Sequence, residues 1–257
     1  MIGGLTTAIR LLTMLPVPGR DAKRLSDALY WFPVVGLLLG SLLWGLGRLL
    51  RLLAPTWAMG PAGAVVASSA VLTLFLHLDG LADWADGFLG ARDRERTLRI
   101  MKDPCVGAFG VVVLVAVLLM KWTAVTRLIE CDALHWLITA YIVSRTLQVD
   151  LAVALPYARA EGGTGAPFVQ DAHNLHRIVA LGVGMGLVLL ISGPIGTLAL
   201  GVAWLFCRAL ATWFRRRLGG VTGDLLGAAS ELVETGILFA GAMVGDRLST
   251  WNSGGWL

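Results

Sequence analysis

Three aspartates between residues 79 and 86 form the most distinctive chemical pattern in the chain. Asp79, Asp83 and Asp86 follow an apolar run, at successive spacings of four and three residues. On a helix these spacings place all three carboxylates on one face. Because closely spaced anions repel one another, we expect a cation among them. Mg²⁺ fits, since it takes oxygen ligands and usually shares them with substrate phosphates. The pattern therefore predicts a magnesium site.

Basic residues follow the aspartates within the same short segment. Arg92, Arg94 and Lys102 carry the guanidinium and ammonium donors that bind phosphate oxygens. The same cations could instead serve only to retain a loop on the cytoplasmic side of a membrane. Asp103 ends the segment and could be a fourth metal ligand, a base or a helix cap. Together with the acids, these residues indicate phosphate chemistry at a membrane surface.

A second cluster lies near the C-terminal end, between residues 218 and 231. Gly219, Gly220 and Thr222 precede an apolar segment, and glycine N–H groups at the start of a helix can bind an anion. Asp224 and Glu231 are seven residues apart and share one helical face. Asp224 could equally be a plain helix cap. Glu231 lies deeper in the apolar segment, where an acid needs a partner.

Two further residues are candidates for supporting such a site. Arg145 lies inside another apolar segment, where it would either pair with a carboxylate or bind an anion. His77 stands two residues before Asp79 and is a candidate general base.

Composition identifies the environment of this chemistry as a membrane. Of the 257 residues, 56% are hydrophobic and 15% charged, whereas a typical soluble domain has about 25% charged residues. The ten tryptophans suit the interface between lipid and water. The net charge of +4 is mild, and no basic stripe is interleaved with aromatic residues. We therefore expect the lipid bilayer as a partner and no binding of nucleic acid.

The apolar segments predict an all-α fold, a polytopic transmembrane helical bundle in one integral membrane domain covering residues 1–257. Residues 2–15 are too short to span a bilayer, which needs about 20 residues, and predict an interfacial or re-entrant helix. Seven longer segments predict spans, at about 31–53, 62–78, 106–126, 133–155, 178–191, 195–213 and 225–244.

The distribution of lysine and arginine predicts the orientation of these spans. Seven spans place fourteen of these residues on the face that carries the acidic motif, and only Arg127 and Arg247 on the opposite face. Since cytoplasmic loops are enriched in lysine and arginine, the N-terminus and the acidic motif are expected in the cytoplasm.

The motifs, taken together, resemble those of a known family. Residues 77–87 (HLDGLADWADG) and 100–103 (IMKD) are similar to the signature of the adenosylcobinamide-GDP ribazoletransferase, or cobalamin synthase, family. The match continues in chain order at residues 15–18 (LPVP), 144–145 (SR), 161–162 (EG) and 218–231.

The resemblance implies a Mg²⁺-dependent enzyme in the cytoplasmic (inner) membrane of a bacterium, with its active site facing the cytoplasm. Such an enzyme joins adenosylcobinamide-GDP to α-ribazole or α-ribazole 5′-phosphate, and it releases GMP. On this hypothesis the three aspartates hold the metal, while Arg92, Arg94 and Lys102 bind phosphate oxygens. Asp103 and Asp224 are the candidate catalytic proton acceptors. A phosphate would contact Gly219, Gly220 and Thr222. Residues that would contact and position the site residues, without touching the substrate, are His77, Arg145 and Glu231.

Two other classes of membrane protein remain as alternatives. CDP-alcohol phosphotransferases also use clustered aspartates and a metal, but the order of residues after Asp79-Gly80 differs from their signature. A cation transporter would distribute its acids along the middle of its spans, whereas most acids here fall at one face. Asp150 and Glu231 lie deep enough in the predicted spans to leave a cation transporter as an alternative.

Overall fold

Helices form nearly all the regular structure of this protein. The structure is a computed structural model that describes residues 2–252, and the side chains of residues 3–245. The side chain of Arg247, counted above on the lysine- and arginine-poor face, lies outside the described part. The helices, in chain order, are α1 (Ile2–Leu12), the short 3₁₀ helix η1 (Leu25–Trp31), α2 (Phe32–Leu53), α3 (Met59–Leu72), α4 (Leu76–Gly90), α5 (Arg94–Ile100), α6 (Ala108–Glu130), α7 (His135–Ala154), α8 (Ala166–Gln170), α9 (Asn174–Leu218) and α10 (Gly223–Asn252).

The helices confirm the predicted all-α polytopic bundle. Within the described residues, five helical segments are long and apolar enough to cross a membrane, and a sixth crossing results if α3 and α4 form one broken span. The predicted short N-terminal helix is present as α1, which ends at Leu12 before Pro16 and Pro18.

Helix α9 is folded back on itself at Gly193. That residue has φ 59° and ψ −156°, a conformation that glycine adopts easily and other residues avoid. The carboxylate of Asp150 on α7 lies 3.0 Å from Arg177 and 2.5 Å from Arg208, which stand on opposite sides of Gly193 in the chain. Since one carboxylate reaches both residues, the two halves of α9 run side by side as a hairpin. Counting these halves separately adds one candidate crossing, and the predicted seven result if α3 and α4 also form one broken span.

The second predicted span is wrong in one respect, because it is not a continuous helix from residue 62 to residue 78. The chain breaks between α3 and α4, which meet at 87°. Leu74 and Phe75 take left-handed backbone conformations, with φ 52° and 57°. The amide of Phe75 donates to the carbonyl of Ala70, which keeps the turn hydrogen-bonded. The acidic motif therefore starts a new helix, and this helix packs against α10 and α6.

Helix α7 forms the centre of the bundle, and every residue from Thr139 to Ala152 is buried. Helix α2 approaches it closely at two glycines, where an added Cβ would lie 2.9 Å from the Cα of Ile142 at Gly36 and 2.5 Å from the Cα of Ile138 at Gly40. Inside a membrane, small residues of this kind allow helices to pack backbone against backbone.

Candidate active site

Helices α4 and α10 bring the first two aspartates of the motif next to Asp224. Gly80 is buried, and a Cβ added there would lie 2.6 Å from the carbonyl oxygen of Asp224. The absence of a side chain at Gly80 thus allows the two helices to touch. As a result, Asp83, which is partly buried, interacts electrostatically with Asp79 and Asp224. Asp79 itself is exposed to solvent.

Asp86 has a different environment from the other two aspartates of the motif. It is buried, and its two carboxylate oxygens accept hydrogen bonds from the amides of Gly107 (2.7 Å) and Gly110 (2.9 Å). These amides lie at the start of α6, where a helix has unpaired N–H groups and a partial positive charge. Asp86 therefore anchors the first turn of α6 to α4, a role that its spacing in the sequence did not reveal.

Arg159 completes the site and was not identified from the sequence. Its guanidinium lies 2.7 Å from the carboxylate of Asp224, and it also donates to the carbonyl of Met101 at 3.2 Å. The Arg159 side chain is only 10% exposed. The sequence offered one weak signal, its position two residues before the Glu161-Gly162 pair of the family-like motifs. Arg159 is also the cation that interacts electrostatically with Asp83.

The loop that carries Arg159 is held against the start of α10 by backbone hydrogen bonds. The amide of Ala158 donates to the carbonyl of Val221 at 2.8 Å, and the amide of Val221 donates to the carbonyl of Pro156 at 2.9 Å. Between them, Tyr157 and Val221 form an isolated parallel β-bridge. Burial is the main reason why the pKa of Tyr157 is raised.

The predicted phosphate-binding residues at the end of α9 have structural roles. Gly219 ends α9 in a left-handed conformation, with φ 77°. Gly220 faces the carbonyl of Pro156 so closely that no Cβ would fit. Thr222 is completely buried, and its hydroxyl accepts from the amide of Leu225 at 3.3 Å, which caps α10. The structure explains these residues by packing and capping, and their contact with phosphate stays a prediction.

A cationic cleft of about 390 Å³ lies beside Arg159. Arg94 is held in its wall, because its Nε and one terminal nitrogen donate to the carbonyls of Leu218 and Ala158, both at 2.8 Å. Lys102 forms an ion pair with Glu161, which lowers the pKa of that carboxyl group. The residues that line the cleft are Arg94, Glu95, Leu98, Arg99, Lys102, Ala158, Arg159, Ala160 and Glu161.

Arg92 and Asp103 lie outside the lining of this cleft. Both are exposed. The carboxylate of Asp103 accepts from the amide of Cys105 at 2.9 Å and so shapes the turn that leads to α6. Gly107, not Asp103, is the residue that caps α6. The predicted roles of Arg92 in phosphate binding and of Asp103 in catalysis remain predictions.

The three predicted supporting residues lie in the interior, away from the cleft. His77 is 2% exposed, with its Nε2 3.5 Å from the side-chain nitrogen of Gln148. Arg145 is fully buried, donates to the hydroxyl of Ser230, and lies 3.9 Å from the carboxylate of Glu234. Its contact with Glu234 agrees with the predicted pairing with a carboxylate, and binding of an anion by Arg145 stays a prediction.

The partner of Glu231 is Lys121 of α6, which sequence reasoning missed. The Lys121 ammonium lies 2.5 Å from Glu231 and 2.6 Å from Glu234, and its side chain is only 4% exposed. A single lysine inside the predicted span 106–126 was the available signal, because a charge at that depth requires a partner. Lys121, Arg145, Glu231 and Glu234 together form a buried cluster of two cations and two anions, called the buried charge cluster below.

No three histidine, cysteine, aspartate or glutamate side chains converge closely enough to hold a metal ion by themselves, within the part of the chain that the structure describes. Among the charged groups around Asp83, the acids Asp79, Asp86 and Asp224 outnumber the single cation Arg159. The site is therefore rich in oxygen donors and short of positive charge. It could accept a cation together with the oxygen ligands that a substrate brings.

Comparison with known proteins gives consistent results over nearly the whole chain. A family model described as cobalamin-5-phosphate synthase matches residues 4–242. A protein of Chlorobaculum parvum is 45% identical over 95% of this chain and 96% of its own length, and one of Chlorobium chlorochromatii is 46% identical over 95% and 97%. A more distant relative from Syntrophobacter fumaroxidans is 39% identical over 92% and 96%. All three relatives are named adenosylcobinamide-GDP ribazoletransferase. No solved structure shows a significant match.

Proposed function

The chain belongs to the cobalamin-5-phosphate synthase family, and on that premise we propose that it transfers the phosphocobinamide part of adenosylcobinamide-GDP to α-ribazole, or to its 5′-phosphate, and releases GMP. The observation that carries this proposal is the meeting of Asp79, Asp83 and Asp224 with Arg159 at the edge of a cationic cleft. Acids that favour a cation and arginines that favour phosphate suit a diphosphate bond.

The proposed reaction exchanges one phosphorus–oxygen bond for another. A ribose hydroxyl oxygen of α-ribazole bonds to the phosphorus on the cobinamide side of the diphosphate. The bond from that phosphorus to the bridging oxygen breaks, and its electron pair leaves with GMP. The hydroxyl proton passes to a carboxylate, and positioning together with charge stabilisation supplies most of the catalysis.

Asp224 is better placed than Asp103 to accept that proton. It lies beside Asp83 and Asp79, whereas Asp103 is exposed in the turn before α6. The ion pair with Arg159 holds the Asp224 carboxylate in place beside the other acids. Arg159 at the same time directs donors toward the place where negative charge develops on the diphosphate.

The donor set at Asp83 fits Mg²⁺, which takes carboxylate oxygens and completes its shell with water and substrate phosphate. Asp79 and Asp83 would hold it, with Asp224 nearby, because both oxygens of Asp86 already accept amide hydrogen bonds. When bound there, the ion would polarise the transferred phosphoryl group and balance the charge of departing GMP.

The proposed location is the bacterial inner membrane, with the site facing the cytoplasm. The excess of lysine and arginine on the face of the acidic motif supports this orientation. Asp79 and the cleft both lie at the protein surface, and on the cytoplasmic side a nucleotide would be released into water.

Among the described residues, the contacts of the deep acids speak against a cation transporter. Asp150, one of the deep acids that kept this alternative open, is paired with Arg177 and Arg208. Glu231, the other, is paired with Lys121. Acids that are neutralised in this way do not line an open path for a cation.

The test is an assay of the purified, detergent-solubilised protein with adenosylcobinamide-GDP, α-ribazole 5′-phosphate and Mg²⁺, in which released GMP and corrinoid product are both measured. Asp83→Asn is the test variant, and Asp171→Asn, which changes an exposed acid outside the cleft, is the matched control. We expect product from the parent and from Asp171→Asn, and none from Asp83→Asn or in the presence of EDTA. Equal product from Asp83→Asn would refute the role of the acids, and a folded parent that makes no product would refute the function.

A further inference from the structure

The cationic cleft beside Arg159 has no assigned ligand of its own. On the basis of the proposed function, we infer that the cleft is the binding subsite for the nucleoside monophosphate that the reaction releases. The corrinoid and the acceptor then approach the acids from other directions. This inference names the ligand of one part of the site, and it can fail while the proposed function holds.

Arg159 connects the cleft to the acids. Its guanidinium is 2.7 Å from Asp224, which interacts with Asp83, and the same side chain lines the cleft. A diphosphate with one phosphorus at the acids would therefore extend its second phosphate along Arg159. That second phosphate belongs to the nucleotide that leaves.

The walls of the cleft are built to donate to an anion. The Arg159 side chain is 90% buried, and Asp224 and the carbonyl of Met101 hold its guanidinium in the wall of the cleft. A cation fixed in this way needs no rearrangement to meet a phosphate. Two backbone carbonyls already fix the Arg94 side chain, so that it loses little conformational entropy when it binds a phosphate.

The volume and the charge of the cleft both suit a nucleoside monophosphate. The volume of about 390 Å³ falls at the lower end of the range of about 300–1,000 Å³ found for ligand pockets. Four cations (Arg94, Arg99, Lys102 and Arg159) and two carboxylates line the cleft. Even with Asp224 counted against Arg159, one positive charge remains in excess for a phosphate.

One of those carboxylates competes with the proposed ligand. Glu161 holds Lys102 in an ion pair at the cleft, and it would repel a phosphate bound there. Removal of the Lys102 ammonium should therefore weaken nucleotide binding, whereas removal of the Glu161 charge should strengthen it. A purely structural role for this ion pair predicts no gain of affinity in either variant.

Isothermal titration calorimetry with GMP as the probe tests the inference on the purified full chain in detergent. EDTA is present, so that metal at the acids contributes nothing. Arg99→Gln combined with Lys102→Gln should raise the Kd for GMP about tenfold, as expected for the loss of charge-assisted contacts in a partly exposed cleft. Glu161→Gln should lower the Kd about threefold, the effect of removing a nearby like charge. Arg96→Gln, an exposed arginine of the same helix outside the cleft lining, should leave it unchanged.

Equal GMP affinity in the parent and in the double variant would overturn the subsite. If the parent in that experiment still forms corrinoid product, the proposed function survives and only this inference is lost. Phosphatidylglycerol added to the micelles tests a lipid headgroup as the other source of phosphate. Loss of phosphatidylglycerol binding in the double variant, with GMP binding unchanged, would also overturn the inference.

Discussion

Replacement of Lys121 by methionine should destabilise the bundle strongly, because two buried carboxylates lose their nearest cation. The Lys121 ammonium is the nearest cation to both Glu231 and Glu234, at 2.5 and 2.6 Å, and all three side chains are at most 5% exposed. Methionine has a similar length and no charge, so the variant removes the cation without leaving a large cavity.

The magnitude follows from the charges that remain. The buried charge cluster is neutral in the parent, with Lys121 and Arg145 against Glu231 and Glu234. In the variant it carries one net negative charge, and only Arg145, at 3.9 Å from Glu234, remains as a cation. Breaking a buried ion pair by removing one partner costs about 3–5 kcal/mol, so we expect a loss of about 4 kcal/mol of unfolding free energy.

A second change should recover part of this loss. Glu231→Gln added to Lys121→Met restores neutrality, with Arg145 facing Glu234. We expect the double variant to regain about 2 kcal/mol, which lies within the coupling energies measured for residues in contact. The gain would show that the cost comes from unpaired charge and not from altered packing.

The assay is unfolding by SDS in mixed micelles, followed by tryptophan fluorescence and circular dichroism, with the free energy extrapolated to zero SDS. The matched control is Arg48→Met, which removes one partner of the exposed ion pair between Arg48 and Asp132 and should cost about 0–1 kcal/mol. If Lys121→Met costs no more than Arg48→Met, or if the double variant is as unstable as the single one, the electrostatic reasoning is refuted.

Three further predictions test the site and its orientation. Asp86→Ala removes two charge-assisted hydrogen bonds to the start of α6 and should cost about 3 kcal/mol in the same SDS titration, whereas Asp79→Ala, an exposed change, should cost less than about 0.5 kcal/mol. Gly80→Ala places a methyl group against α10, which should cost about 1–3 kcal/mol and lower the initial rate of GMP release. Gly182→Ala, a change with open space around it, should leave that rate unchanged. Equal rates in the two variants would contradict the close contact. Cys105 is exposed near the acidic motif. A membrane-impermeant maleimide should therefore modify it only after spheroplasts are permeabilised, as measured by mass spectrometry of the labelled peptide. Labelling in intact spheroplasts would contradict the proposed orientation.

The sequence predicted the membrane helices well, because their signal is local. Apolar segments of sufficient length form helices in lipid, since each backbone donor and acceptor must be paired inside its own segment. The turn in α9 falls between the predicted spans 178–191 and 195–213, where Ser192, Gly193 and Pro194 interrupt the apolar sequence. The break between α3 and α4 was not, because Thr73, Leu74 and Phe75 include no glycine or proline. There the carbonyl of Leu72 accepts from the amide of Met14, a contact with a distant part of the chain.

The candidate site was predictable only where its residues are neighbours in sequence. Helical spacing correctly indicated that Asp79 and Asp83 belong together, but it could not show that Asp86 faces the start of α6. Arg159 and Lys121 find their partners across 65 and 110 residues of chain, so no local pattern contains those pairs. Such pairs are products of tertiary packing, which sequence spacing does not report.

Helix α10 links the site to the interior of the membrane. Asp224 stands at its start, and Glu231 and Glu234 of the buried charge cluster lie two to three turns further along. Glycines set its contact with α4, since Gly80 touches the backbone of Asp224 and Gly227 lies against His77. Close contacts at two levels determine both the depth and the rotation of one helix against the other. A site on two rigid helices is positioned more precisely than one on a loop. A change in the buried charge cluster that shifts α10 should therefore reduce the transfer reaction even where the protein stays folded.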